Sequence, residues 1–167
     1  MTGANGTAAT LPAGPGRMIS VIGLRGPVPF DAIVADYMSE GGDVLLLDPG
    51  IVCGRDHVVS AVLHAERAFR EGRQRSKSLL TEIILYVACE RQIGNAMRKV
   101  RPEPGGGAYV ACVLDVVDHV PEGMVRDDSL CEASAAKLAG LGITADPFSA
   151  PSEQILEAVA MVDLLKQ

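Results

Sequence analysis

Residues 78–96, SLLTEIILYVACERQIGNA, hold the side chains best placed to do chemistry. The run 79–89 is apolar except for Thr81 and Glu82, and the polar cluster Glu90-Arg91-Gln92 follows at once. A helix that is apolar on nearly every side is buried all round. A carboxylate inside it must find a partner or stay protonated, so Glu82 is expected to be a hydrogen-bonded structural carboxylate. A general base would need a paired titratable group, and the sequence offers none beside it. The abrupt polar exit puts Arg91 and Gln92 at a surface held rigid by the buried helix. The chemistry this stretch can do is recognition of charge rather than the making of bonds.

Charge is distributed unevenly around it. The chain carries 15 Lys and Arg against 21 Asp and Glu, a net −6. Residues 55–101 alone carry 10 Lys and Arg against 5 Asp and Glu, so this window is +5 and the remainder −11. An acidic protein with one basic segment suits a localised polyanion site. A solvated helix face accounts for the same count, and composition leaves both readings open.

Other chemistries find little support. Cys53, Cys89, Cys112 and Cys131 are widely spaced with no CxxC pair; free, buried thiols are expected, with no disulfide framework and no zinc site. His57 and His64 lie seven residues apart and lack the i, i+4 spacing of a helical metal pair. Gly105-Gly106-Gly107 lacks the Lys-Ser/Thr of a P-loop and reads as a turn. Gly23-Leu24-Arg25-Gly26 has the spacing of a KH-type loop but follows a strand instead of joining two helices. No cofactor or metal is expected. No apolar run reaches the roughly 18 residues of a membrane helix. Residues 1–17 lack the basic start and apolar core of a signal peptide. They read as a disordered leader to a single domain at residues 18–167, with a cytoplasmic location expected.

The elements that must position these groups follow from periodicity. Strands are expected at 18–24 (MISVIGL), 43–47 (DVLLL) and, most strongly, 108–117 (AYVACVLDVV). The turn 48–50 (Asp-Pro-Gly) ends the second, which 51–54 can extend. Helical spacing marks 30–40, 55–71, 79–90, 91–100, 127–139 and 152–166. Gly72 stops the helix before the basic loop 72–78 (GRQRSKS), and a further short strand fits within 118–126. The fold class is α/β, α+β-like: a small mixed, partly antiparallel sheet packed against several helices.

The last helix has apolar residues on two sides. Ile155, Val159 and Val162 form one stripe, and Leu156, Ala160 and Leu164 form another well round the helix. One can cover a core while the other meets a partner. Ser152 is the expected N-cap, with Glu153 at the positive end of the helix dipole.

The pattern S-L-x-x-E-I-I-L-Y-x-A-x-E-R-Q-I-x-x-A over residues 78–96 resembles the signature of the smallest subunit of the KEOPS (EKC) complex, the PRPK-binding-protein (TPRKB-like) family. Element order extends the resemblance over about residues 19–165. Cys89 stands where many relatives have Gly.

The resemblance implies a non-catalytic subunit, with no cofactor. It implies binding to the N-lobe of the KEOPS kinase/ATPase subunit, in a complex that makes threonylcarbamoyladenosine on tRNAs reading codons that begin with A. It also implies a grip on the single-stranded CCA end of tRNA. Such binding needs cations for phosphates and planar or apolar surfaces for bases. On that basis Arg73, Arg75, Lys77, Arg91, Gln92 and Ile93 are the expected RNA-binding residues. The guanidinium planes would stack bases, Gln92 would read a base edge and Ile93 would supply apolar contact. Leu156, Ala160 and Leu164 are the expected kinase-subunit contacts. The competing readings are an interaction adaptor without RNA and a small enzyme with a cofactor pocket.

Overall fold

The computed structural model describes residues 10–13 and 17–166. The chain divides into two compact units, Met1–Pro49 with Pro102–Cys131, and Gly50–Arg101 with Glu132–Gln167.

Among the described residues the first unit is an antiparallel sheet with one α-helix. Its strands are β1 (Thr10–Ala13), β2 (Arg17–Arg25), β3 (Asp43–Leu47), β4 (Ala108–Leu114) and β5 (Val125–Arg126), and its helix is α1 (Phe30–Ser39). The order is β1-β2-β4-β3, with β5 also pairing β2. Every pairing among the described residues is antiparallel, so the sheet is not mixed. In the central pair Val21 opposes Cys112, and on the far side of β4 Val44 opposes Val113. Strand side chains alternate between faces. One face presents Ile22, Leu24, Val44, Leu46, Tyr109, Ala111 and Val113 to Ile33 and Tyr37 of α1, which are one helical turn apart. β1 falls inside the segment expected as a leader; residues 1–9 and 14–16 of that segment lie outside the described residues.

Residues 127–139 do not form one helix. A 3-10 turn at Asp128–Cys131 comes first, and a short helix, α5 (Ala135–Gly140), follows. Asp127 Oδ1 accepts the Ser129 N–H at 3.1 Å, and Asp128 Oδ1 accepts the Gly23 N–H at 3.1 Å. Aspartates that satisfy nearby and cross-strand N–H groups compete with helix hydrogen bonding. The approach to β2 is so close that a Cβ on Gly23 would sit 1.9 Å from the Asp127 carbonyl oxygen, so only glycine fits there. Ser134 Oγ then accepts from Lys137 N and starts α5.

The second unit is helical: α2 (Arg55–Arg70), α3 (Leu79–Ala88), α4 (Ile93–Val100), α5 and α6 (Pro151–Leu165). Residues 51–54 do not prolong a strand, since Pro49–Ile51 is a 3-10 turn. α3 packs against α2, α4 and α6. Its residues 82–88 are all buried, the expected all-round burial. α6 begins one residue before the expected cap, with Pro151 in the first turn and Ala150 as N-cap. The fixed φ of proline suits that position and needs no N–H.

Candidate functional site

α3 organises the second unit, and its two ends are built differently. Ser78 caps the N-terminal end, accepting the Thr81 N–H at 3.1 Å. One turn in, Glu82 is fully buried. Its Oε1 accepts from the backbone N–H of Arg75 and of Ser76, both at 3.0 Å, and from Ser76 Oγ at 2.9 Å. Its Oε2 is paired with the buried Lys166 ammonium at the end of α6. Burial alone would raise the Glu82 pKa, but the bonds from Lys166, from the Ser76 hydroxyl and from the two N–H groups more than offset it and hold the carboxyl below its ordinary value. A hydrogen-bonded structural carboxylate was expected here, and the structure bonds it to both the loop backbone and a basic residue.

The network continues through Tyr86, one helical turn along α3. Lys166 Nζ donates to Tyr86 Oη at 2.9 Å and lies 4.5 Å from the ring centroid. Tyr86 Oη in turn donates to Asp163 of α6. Asp163 also takes Arg67 at 2.9 Å, His64 at 3.0 Å and Arg73 at 3.2 Å. Burial opposes ionisation of Asp163, yet the bonds from Tyr86, His64, Arg73 and Arg67 outweigh it and hold its carboxyl well below the usual carboxylate range.

Two of the expected RNA-binding residues are thus tied into this network. Arg73 pairs with Glu71 at 2.8 Å as well as with Asp163. The Arg75 guanidinium donates to the Lys166 carbonyl. Lys77 is exposed. Arg91, Gln92 and Ile93 lie at the opposite end of α3 and are all exposed. Ten residues at 1.5 Å each separate the two groups by about 15 Å along the axis. The six residues therefore form two clusters, not one.

The C-terminal end of α3 is held from beneath by neutral groups. Cys89 takes a left-handed conformation, φ 55, the Glu90 N–H returns to the Leu85 carbonyl at 3.0 Å and the Cys89 N–H to Tyr86 at 3.2 Å. This is the Schellman pattern. His57, fully buried on α2, accepts the Cys53 N–H at Nδ1, 3.0 Å away. That leaves Nε2 as the protonated nitrogen, and it donates to the Val87 carbonyl at 2.8 Å. Burial pushes the His57 pKa down to about 4, so the ring is neutral near pH 7. Lys99 and Glu90 pair at 2.7 Å beside the junction. Arg91 has no side-chain partner among the described residues, and the Gln92 side chain accepts from Asn95, at 3.1 Å.

α6 presents its two stripes to different surroundings. Ile155, Val159 and Val162 are buried. Ala160 and Leu164 are exposed, while Leu156 is half-buried at the border. Met161 and Leu165 are exposed beside Leu164 and enlarge the outward apolar surface. Met161 was not singled out by the two-stripe pattern because it falls between the stripes. Asp163 was missed in the sequence, although a carboxylate next to a buried stripe calls for partners.

Cys53, Cys112 and Cys131 are buried, and Cys89 is half-buried. Among the described residues no His, Cys, Asp or Glu cluster could hold a metal ion, and no helix is long and apolar enough to cross a membrane.

The chain belongs to the CGI-121 family: the description kinase binding protein CGI-121 matches residues 31–131. Members of this family, that of the small KEOPS subunit, are non-catalytic kinase-binding subunits. The match includes the junction at residues 91–93 and ends before α6. No curated protein matches the chain.

Proposed function

We propose that this protein serves the cytoplasmic KEOPS complex in two ways, docking its kinase/ATPase subunit on the N-lobe through α6 and holding the single-stranded CCA end of tRNA at the α3–α4 junction. Held there, the tRNA would present its anticodon arm for threonylcarbamoyladenosine formation on the catalytic subunit. Membership of the kinase-binding family supports binding to a kinase, and the exposed apolar side chains of α6 support its placement there. The second rests on Arg91, Gln92 and Ile93, exposed at the end of a buried helix, with Arg91 unpaired among the described residues. A guanidinium, an amide and an aliphatic side chain offer phosphate or base-plane contact, base-edge bonding and apolar contact respectively. Arg73, Arg75 and Lys77 form the outer part of the proposed RNA surface, with Lys77 the one whose charge is free of the internal network.

The test is binding to tRNA with and without its CCA end, together with co-purification of the kinase subunit. Loss of affinity on removing CCA supports RNA-end recognition. Leu164→Asp places a charge in an apolar interface and should abolish co-purification while the isolated protein still folds. A second reading, an adaptor with no RNA role, draws on the internal pairing of Arg73 and Arg75. Equal affinity for the two tRNA forms would select it.

A further inference from the structure

We infer that the kinase-docking surface extends beyond the apolar stripe of α6 to an aromatic anchor at Phe148 and an acidic band at Glu153 and Glu157, and that it fits a cation-rimmed face of the kinase partner. This rests on the docking reading above and adds its specificity. Phe148 is 96% exposed, the most exposed large apolar side chain among the described residues. Burying a ring of this size is a large gain, so leaving it in water calls for an occupant.

The loop that carries it is held in shape. Asp146 Oδ1 accepts the Phe148 N–H at 2.9 Å. Gln154, in the first turn of α6, accepts the Asp146 N–H at 2.7 Å and donates to the Asp146 and Ser149 carbonyls at 3.0 and 2.8 Å. The ring is therefore displayed from a pinned backbone, and little ordering entropy remains to be lost on binding.

Charge selects the partner. Residues 138–165 contain Asp146, Glu153, Glu157 and Asp163 and no Lys, Arg or His. Asp163 turns inward to its cations, and Lys166, the next cation along, is buried against Glu82. The outward face of α6 runs Glu153, Glu157, Ala160, Leu164, at i, i+4, i+7 and i+11, and all four are exposed. It is acidic in its first half and apolar in its second, where Met161 joins it. A face of this sign repels nucleic acid and steers a protein with basic groups around an apolar site.

The experiment measures association of the full chain with its kinase partner by surface plasmon resonance across a salt series. Phe148→Ala should speed dissociation by about 10- to 100-fold, as for a buried aromatic anchor. Glu153→Lys/Glu157→Lys should slow association and flatten its salt dependence; the melting temperature should be unchanged for Phe148→Ala and fall by only a few °C for the charge variant, whose Glu153 sits at the positive end of the α6 dipole. Wild-type kinetics in either variant overturn the inference. If Leu164→Asp still abolishes binding in that case, docking through α6 stands and only the extension falls. If Leu164→Asp also binds normally, the docking reading falls with it.

Discussion

The two ends of α3 carry similar numbers of cations and put them to different uses. At the N-terminal end, Arg73, Arg75 and Lys166 hold the protein's own carboxylates and carbonyls. At the C-terminal end neutral groups hold the backbone, His57 under Val87 and the Schellman turn at Cys89, with a Lys99–Glu90 pair at its side, and Arg91 is left facing solvent. A cation is available to a partner only where something else does the structural work. Counting Lys and Arg along the window cannot make that distinction, because both ends contribute to the same +5.

The sharpest way to break this comparison is to remove the buried carboxylate. Glu82→Ala leaves Lys166 and two loop N–H groups without their acceptor. Losing one side of a buried pair costs on the order of 3–5 kcal/mol. Lys166 lies at the end of α6, where a frayed turn can return it to water, so the lower end is expected. At roughly 2–4 °C per kcal/mol for a chain of this size, the melting temperature should fall by about 6–12 °C. Affinity for tRNA in the folded fraction should hold. An unchanged melting temperature with lost RNA binding would make Glu82 a site residue and dissolve the contrast between the two ends.

Acid tests the support beneath the other end. His57 has a folded-state pKa of about 4 against an ordinary 6.5. Above pH 6.5 the ring is neutral in both states and its contribution is complete. Between pH 6.5 and 4 the unfolded chain takes up a proton that the folded chain refuses. Stability is then lost at about 1.4 kcal/mol per pH unit, on the order of 3 kcal/mol in all. Below about pH 4 the depressed carboxyls of Glu82 and Asp163 add to the loss, because the unfolded state protonates first. Denaturant melts across this range, with imidazole shifts followed by NMR, give the curve. Titration of the His57 ring near pH 6.5 in folded protein would mean that water reaches it and that α3 is not held as described.

A charge reversal at each end measures availability directly. Arg91→Glu should weaken tRNA binding about tenfold or more, with the fold intact, since one charge-assisted contact is worth about 1.5–3 kcal/mol. Its log–log salt slope should drop by about 0.7 if one phosphate contact is lost. Arg73→Glu should mainly lower the melting temperature, because it sets a second carboxylate against Asp163. The opposite pattern would place the RNA surface on the loop.

Much of this was legible because it is local. The all-round burial of α3, the strand at 43–47, the strand expected at 108–117, which ends at Leu114, and the two-sided α6 follow from period and run length within one segment. The position of Glu82 in an apolar run was enough to require partners. Their identity was not, since Lys166 is 84 residues away and Asp163 lies 77 from Tyr86. Nor could the sequence show that Arg73 and Arg75 bond to the protein's own groups, because cations of one loop look alike until their neighbours are in place. The expected helix at 127–139 failed for a related reason: the Asp127 and Asp128 bonds that break it reach back to Gly23.

The smallest effect concerns the turn that releases Arg91 to solvent. α2 and α3 end in the same motif. At the end of α2 the Arg73 N–H returns to Ala68 at 2.8 Å and the Gly72 N–H to Phe69 at 3.3 Å. Gly72 supplies the left-handed residue there, with φ +70, and Cys89 supplies it at the end of α3, with φ 55. A side chain in that conformation costs roughly 1–2 kcal/mol that glycine avoids. Glycine gives back about 0.5–1 kcal/mol through the greater freedom of its unfolded chain. Cys89 is half-buried, and losing its thiol costs a little more. Cys89→Gly should therefore stabilise by only about 0.5 kcal/mol, or about 1–2 °C in melting temperature, and should leave tRNA affinity unchanged. Cys89→Ala keeps the strained conformation and gives up the thiol's packing, so it should destabilise slightly. If alanine matches or exceeds glycine in melting temperature, the left-handed turn at residue 89 is not what ends α3, and the rigid presentation of Arg91 needs another cause.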